Sequence, residues 1–314
     1  MTASFDRFGE AVRAAALTIP PGLPRGGIGW CAAMASITEA AAAKPGNVHP
    51  GASFDDLTFF DFVAAGISIA ASLERASSRP LGETIFDAVR AASEASPSNA
   101  NLGIILLIAP LAAVSLAQRP LTPAHVDAVL ARLDATDAAA IWEAIQRACP
   151  GGMGKADRHD LAGPPPADIR EAMALAADRD TIASLWAHGF EPLFAGPVAD
   201  LLATLTADVP LETAIIRTHL RQLARRPDSL IARRHGDETA REVSTRAAAL
   251  VALEHEATWP TALAAFDVSL RRPRRLNPGT TADLVAATLY ILLRDGLLTL
   301  PFLPCLDQDN RTPP

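Results

Sequence analysis

Alanine-rich apolar runs, such as residues 28–44 and 102–117, alternate along this sequence with short loops full of proline and glycine. Alanine and leucine give up little side-chain entropy in a helix, whereas strands favour β-branched and aromatic residues. Aromatics make up only 5% of the chain against 49% for all hydrophobic residues, so strand-forming material is scarce. No run of alternating β-branched residues stands out either. An α/β sheet is therefore set aside in favour of an all-α fold, a single compact multi-helix domain packed closely on small residues.

At 314 residues the chain suffices for one large helical domain or two modest ones. Residues 1–27 read as a short helix and a lead-in ending at PPGLPRGG, 28–300 as the helical domain, and 301–314 as a tail. Helices are expected over 28–44, 57–75, 81–95, 102–117, 122–137, 138–149, 167–187, 197–206, 210–226, 237–257, 259–268 and 281–298. The first must stop at Pro45, because proline disfavours helix in the residue before it. The apolar run 102–117 contains Pro110. Runs shorter than about 18 residues suit a buried core helix better than a membrane span. Loop 150–166, PGGMGKADRHDLAGPPP, is the longest and the best candidate for a boundary or a lid.

Net charge is −7, which argues against a general nucleic-acid binder, since that needs a basic surface to displace counterions. A local basic pocket for phosphates remains compatible with it. The three cysteines, Cys31, Cys149 and Cys305, form no CxxC pair, so a reduced cytosol fits better than a disulfide framework. The N-terminal segment carries acidic residues and no continuous apolar core, unlike a signal peptide. The expected location is cytoplasmic.

Four polar loops lie directly against apolar helices. In the first, Glu39 and Lys44 are separated by four alanines and followed by Pro45-Gly46-Asn47-Val48-His49. The pair is not at i,i+4 surface spacing, and the small residues let a ligand or another backbone approach; a plain helix stop is the alternative. The second, Gly51 to Asp56, sets Asp55 and Asp56 before a helix, to cap it or to hold Mg²⁺. The third, Ser98-Asn99-Ala100-Asn101-Leu102-Gly103, reads as a helix cap or as a pocket wall whose free N–H groups bind phosphate. The fourth, Asn277 to Leu284, gives Thr280 and Asp283 the spacing of a capping box. Just upstream, Arg271, Arg272, Arg274 and Arg275 are either a solvated charge run or a phosphate clamp. A weaker fifth place, residues 227–236, mixes Asp228 with Arg233, Arg234 and His235. The chain has no Walker A loop, no GxGxxG after a strand, no HExxH and no GxSxG. His188, His219 and His255 read as ordinary helix residues.

Taken in order, these loops resemble the triphosphoribosyl-dephospho-CoA synthase family. The resemblance rests on Glu39 with Lys44-Pro45-Gly46, Gly51 to Asp55, Asn99 to Gly103, Asp228-Ser229 with Arg234, and Asn277-Pro278-Gly279-Thr280-Thr281-Ala282-Asp283-Leu284, across residues 35–295. The sequence departs from the family pattern at Ser53, where the family has a loop histidine, and at Leu102, where it has a lysine. His49 stands in place of an aspartate and Asp228-Ser229-Leu230 in place of D-T-N. These departures look like a divergent branch, of the kind found in archaea and in bacteria with methanopterin-type one-carbon cofactors.

The resemblance implies transfer of the triphosphoribosyl group of ATP to a hydroxyl of an acceptor such as dephospho-CoA, with release of adenine. It also implies Mg²⁺. Glu39 or Asp55 is then the catalytic carboxylate. Lys44, Gly46, Asn47, His49, Asn99, Asn101, Gly103, Arg234, Gly279 and Thr280 bind the nucleotide, and Asp228 and Asp283 hold metal. The alternatives are the same nucleotide site with an acceptor from a pterin-type pathway, and a non-catalytic helical nucleotide-binding protein. The family reading requires the turn near residue 45, the asparagines near 100 and Asp283 to line one cavity.

Overall fold

The computed structural model describes residues 2–96, 101–148, 161, 163–205 and 208–300. Among these residues the regular structure is helical, with two isolated bridges, His49 to Ala52 and Phe54 to Leu57, in the loop after α1 (Thr2–Ala16) and α2 (Ile28–Ala41). The helices are α1 (Thr2–Ala16), α2 (Ile28–Ala41), α3 (Phe59–Ser68), α4 (Ala70–Glu74), α5 (Leu81–Ala95) and α6 (Leu102–Ala112). Next come α7 (Pro123–Leu130), α8 (Ala135–Ala148), α9 (Ile169–Ala176), α10 (Thr181–His188), α11 (Glu191–Leu193) and α12 (Ala199–Thr204). The chain closes with α13 (Leu211–Arg225), α14 (Ser229–His235), α15 (Asp237–Ala252), α16 (Trp259–Arg271) and α17 (Gly279–Asp295).

Two of these helices, α2 and α17, pack on each other at the centre and are buried on nearly every face. A helix can be apolar all round only when neighbours cover it on all sides. Small residues make that approach close: a Cβ on Gly29 would stand 2.1 Å from the Ala70 carbonyl oxygen of α4. The apolar α6 packs on α17, α5 and α2, so the apolar run forms a core helix, although it ends at Ala112, short of the expected 117. No helix among the described residues is long and apolar enough to cross a membrane. A second apolar cluster gathers Leu220, Leu223, Val243, Leu250, Phe266 and Leu270 from α13, α15 and α16. Helix α13 joins the two cores, giving Ala214 and Ile215 to the first and Ile216 to the second.

Most differences from the expected boundaries have a capping cause. The expected helix 167–187 is two helices because Asp180 accepts from the N–H groups of Ile182 and Ala183 and starts α10. Asp134 accepts from Thr136 and Asp137 and so divides α7 from α8. The expected 197–206 helix is α12 alone, preceded by a π-turn at Phe194–Val198. Asp55 and Asp56 do not cap α3; Thr58 does, in a box with Asp61, whose Oδ2 accepts from the Thr58 N–H at 2.7 Å. Helix α17 starts at Gly279, which places Thr280 inside its first turn, so the expected box with Asp283 does not form. It ends at Gly296 in the left-handed conformation, φ 74°, short of the expected Leu298. Most of loop 150–166, together with Cys149 and Cys305, lies outside the described residues, and Cys31 is a buried free thiol.

Candidate active site

Helix α2 ends at Ala41 rather than at Lys44, and the lysine explains why. Its side chain folds back under the helix, and Nζ donates to the Glu39 and Ala42 carbonyl oxygens and meets Glu39 Oε1 at 2.8 Å. Each of these carbonyls also accepts one backbone N–H, from Ala42 and Lys44, so the ammonium is a second donor at the helix end. Both side chains are buried, Lys44 completely. The turn that follows needs Gly46, at φ 77°, where a Cβ would stand 2.7 Å from the Leu276 carbonyl oxygen. The Gly46 N–H donates to Asp267 Oδ1 at 2.8 Å, and Asp267 also holds Arg271, so α16 clamps the turn. Asn47 Nδ2 then donates to Asn277 Oδ1 at 2.7 Å, joining the turn to the strand of loop ahead of α17.

Buried Asp228 organises the other side. One oxygen caps α14 through the N–H groups of Leu230 and Ile231, at 2.9 and 3.0 Å. The other accepts from the N–H and hydroxyl of Thr281, each at 2.8 Å, which pins the start of α17 to α14. Neighbouring Ser229 donates to Thr280 Oγ1 at 3.0 Å. Asp228 thus fixes the wall and has no oxygen left for a metal, which corrects its expected role as a ligand.

Between these supports lies a cavity of about 580 Å³, within the usual range for small-molecule sites. Glu39, Asn47, Asn277, Thr280 and Asp283 make a polar wall. Leu102, Leu106, Ile145, Met173 and Ile182 make an apolar one. Arg233, Arg234 and Arg275, with Asp56 and Asp180, also line it. The Asp283 carboxyl has no hydrogen bond or ion pair among the described residues and packs on Gly103, where a Cβ would lie 2.0 Å from Oδ2. Burial first, then the charges of Glu39 and Asp228, pushes Asp283 well above the usual carboxylate range. Burial also raises Glu39, and Lys44 pulls it back.

Seven residues singled out in the sequence line the cavity: Glu39, Asn47, Gly103, Arg234, Gly279, Thr280 and Asp283. The others stand elsewhere. Lys44 and Gly46 support the wall from behind, so the ammonium answers Glu39 and is not open to phosphates. Asn101 is buried at the start of α6 and reaches Ser36. His49 lines a separate pocket of about 180 Å³ with Arg7 and Glu212, where burial and Arg271 hold it down at about 4. Asp55 is exposed and off the cavity, while its neighbour Asp56 lines it. Asn99 lies outside the described residues. The expected site set did not include Asp56, Asp180, Arg233, Arg275 or Asn277, although Asp56 was a possible Mg²⁺ ligand beside Asp55, Arg275 belonged to the possible phosphate clamp, and Asn277 and Arg233 sit in the polar loops.

A family model for CitG, ATP:dephospho-CoA triphosphoribosyl transferase, matches residues 26–300. The chain belongs to this family. It is accordingly a transferase. No curated protein matches it. A matching crystal structure from Archaeoglobus fulgidus, provisionally named a triphosphoribosyl-dephospho-CoA synthase, is 20% identical with a TM-score of 0.57, over 74% of this chain and 99% of that one. At that identity the likeness is one of fold, and it supports the all-α architecture.

The contact of Gly103 with Asp283 gives a first test. Gly103→Ala is expected to lower turnover about 10- to 100-fold, because displacing a reacting or binding group by about 1 Å costs that much. Steady-state kinetics of adenine release would measure it, and unchanged turnover would show that Asp283 has room to move.

Proposed function

We propose that this cavity carries out the family reaction, transferring the triphosphoribosyl group of ATP to a hydroxyl of a dephospho-CoA-type acceptor. The bond between the ribose anomeric carbon and adenine N9 breaks, and one from that carbon to the acceptor oxygen forms. Adenine leaves with the electron pair and takes up a proton, while the acceptor hydroxyl loses one. Positive charge builds on the sugar in such a displacement, as in glycosyl transfer. Glu39, held by Lys44 and facing the cavity, is the carboxylate suited to stabilise it or to accept the hydroxyl proton. Asn47 and Thr280 orient the nucleotide, and the apolar wall keeps water from the sugar. Leu102, where the family has lysine, is part of that wall.

The observation that carries this reading is convergence: Glu39, Asn47, Gly103, Arg234 and Asp283 come from far-separated segments and line one cavity. Among the described residues no three His, Cys, Asp or Glu side chains gather as a metal cage. The unpartnered Asp283 carboxyl beside Glu39 nevertheless fits Mg²⁺, a hard ion that takes one or two carboxylates and completes its shell with water and phosphate oxygens. Asp283 would hold the ion, which when bound neutralises phosphate charge, and Glu39 stays free for the sugar. Family membership favours this reaction over the pterin-pathway and non-catalytic alternatives. The test is incubation of the full chain with ATP, Mg²⁺ and dephospho-CoA while free adenine is followed by chromatography. Adenine no faster than in a protein-free blank would overturn the reading.

A further inference from the structure

Arg275 has a positive φ, 52°, and among the described residues no other non-glycine residue does. Side chains with a Cβ rarely take that conformation, so the surroundings must impose it. They do: the Arg275 N–H donates to the Arg271 carbonyl at 3.2 Å and the next N–H to Leu270 at 2.7 Å, closing the end of α16. The outcome is a guanidinium 4.2 Å from the centre of the Phe54 ring, a platform that Arg271 shares at 5.5 Å. A stacked guanidinium keeps its planar fork aimed in one direction.

The fork meets Asp56 Oδ1 at 2.5 Å. Asp56 is a poor structural partner, since its side chain is 67% exposed, and it caps no helix. It lines the cavity together with Arg275 and Arg234. Both arginines hold its carboxyl below the usual range, Arg275 first. The third cation differs. Arg233 is bound by Asp180, whose other oxygen caps α10. Arg234 has no ion pair or hydrogen bond among the described residues.

We propose that Arg234 and Arg275 form the subsite for the polyphosphate tail of the nucleotide, and that Asp56 is a resident carboxylate which a phosphate displaces. The proposal rests on the nucleotide reading of the cavity and goes further by fixing which end lies where. Two guanidiniums at a solvent-open edge suit an elongated, multiply charged anion, and guanidinium forks match phosphate oxygens in pairs. The sugar then reaches inward to Glu39, with the Asp283 carboxyl left for the ion that meets the phosphates. Asp56 keeps the arginines apart from weak anions, because only a more highly charged group outcompetes it.

Titration calorimetry of the full chain with inorganic tripolyphosphate tests this without turnover. Arg275→Gln and Arg234→Gln are each expected to weaken binding about 10- to 100-fold, the worth of a charged hydrogen-bonding partner. Asp56→Asn is expected to tighten it, by up to about 5-fold, as loss of an exposed competing ion pair allows. Arg272→Gln, on an exposed side chain off the cavity, is the control and should change nothing. If Arg275→Gln fails to fold, Asp56→Asn and Arg234→Gln still decide. Unchanged or weaker binding by Asp56→Asn, or an Arg234 variant no weaker than the Arg272 control, overturns the subsite. Adenine release would survive that result and leave the reaction standing. The expected binding pattern without adenine release would uphold the subsite and sink the reaction.

Discussion

Asp283→Asn is expected to reduce adenine release about 100- to 1,000-fold, the usual cost of removing one group that stabilises developing or transferred charge, while making the protein more stable. The activity loss follows if the open carboxyl holds Mg²⁺ against the phosphates. The stability gain follows from its surroundings. Burial and the charges of Glu39 and Asp228 push its proton affinity up, so at neutral pH the ionised form opposes folding. For a carboxyl with a raised folded-state pKa, stability is fullest below the ordinary aspartate range and falls as pH rises through the folded value. The variant lacks this dependence. In chelator, its advantage should therefore widen as pH climbs above the ordinary aspartate range and close as pH falls to it. A gain of about 0.5–2 kcal/mol is typical for relieving a destabilised functional site. Thermal melts across pH would read it, and a variant less stable than wild type at neutral pH would show that Asp283 is a structural partner instead.

Such a trade marks the places where local sequence rules and the fold disagree. The helical class was legible because alanine-rich periodic runs admit few alternatives; α5 was expected over 81–95 and occupies Leu81–Ala95. The loops that supply Glu39, Asn47, Gly103 and Asp283 were legible as polar segments abutting apolar helices. Which residue of a loop faces inward was not. Two short bridges, His49 to Ala52 and Phe54 to Leu57, set the path of the loop and turn Asp56 rather than Asp55 to the cavity. A loop without periodicity offers no pattern to predict that. Asp228 and Asp283 looked alike as acids near helix starts, yet one spends both oxygens on four hydrogen bonds and the other on none. That distinction depends on α14 meeting α17, a contact between distant segments.

Lys44 carries the same lesson in energetic form, since it looked like a phosphate ligand and is the buried counter-ion of Glu39. Lys44→Met is expected to destabilise the fold by about 3–5 kcal/mol, because removing one member of a buried pair strands the other charge in a poorly solvated place. At about 2–4 °C per kcal/mol for chains somewhat shorter than this one, the melting midpoint should drop by roughly 10 °C. Loss of the second donor to the Glu39 and Ala42 carbonyls adds to the cost, leaving each with a single backbone N–H. Other groups near the ammonium cannot replace it: Glu212 is an acid engaged with the Ala43 N–H, and His219 is held neutral by burial. Neutralising both partners in Glu39→Gln/Lys44→Met should restore part of the stability, with a coupling of about 0.5–3 kcal/mol in a double-mutant cycle. Activity should not return with it, since the cavity-facing carboxylate is gone. A Lys44→Met protein that melts like wild type would mean that Glu39 is protonated in the fold, and its role as the charge facing the sugar would pass to another group.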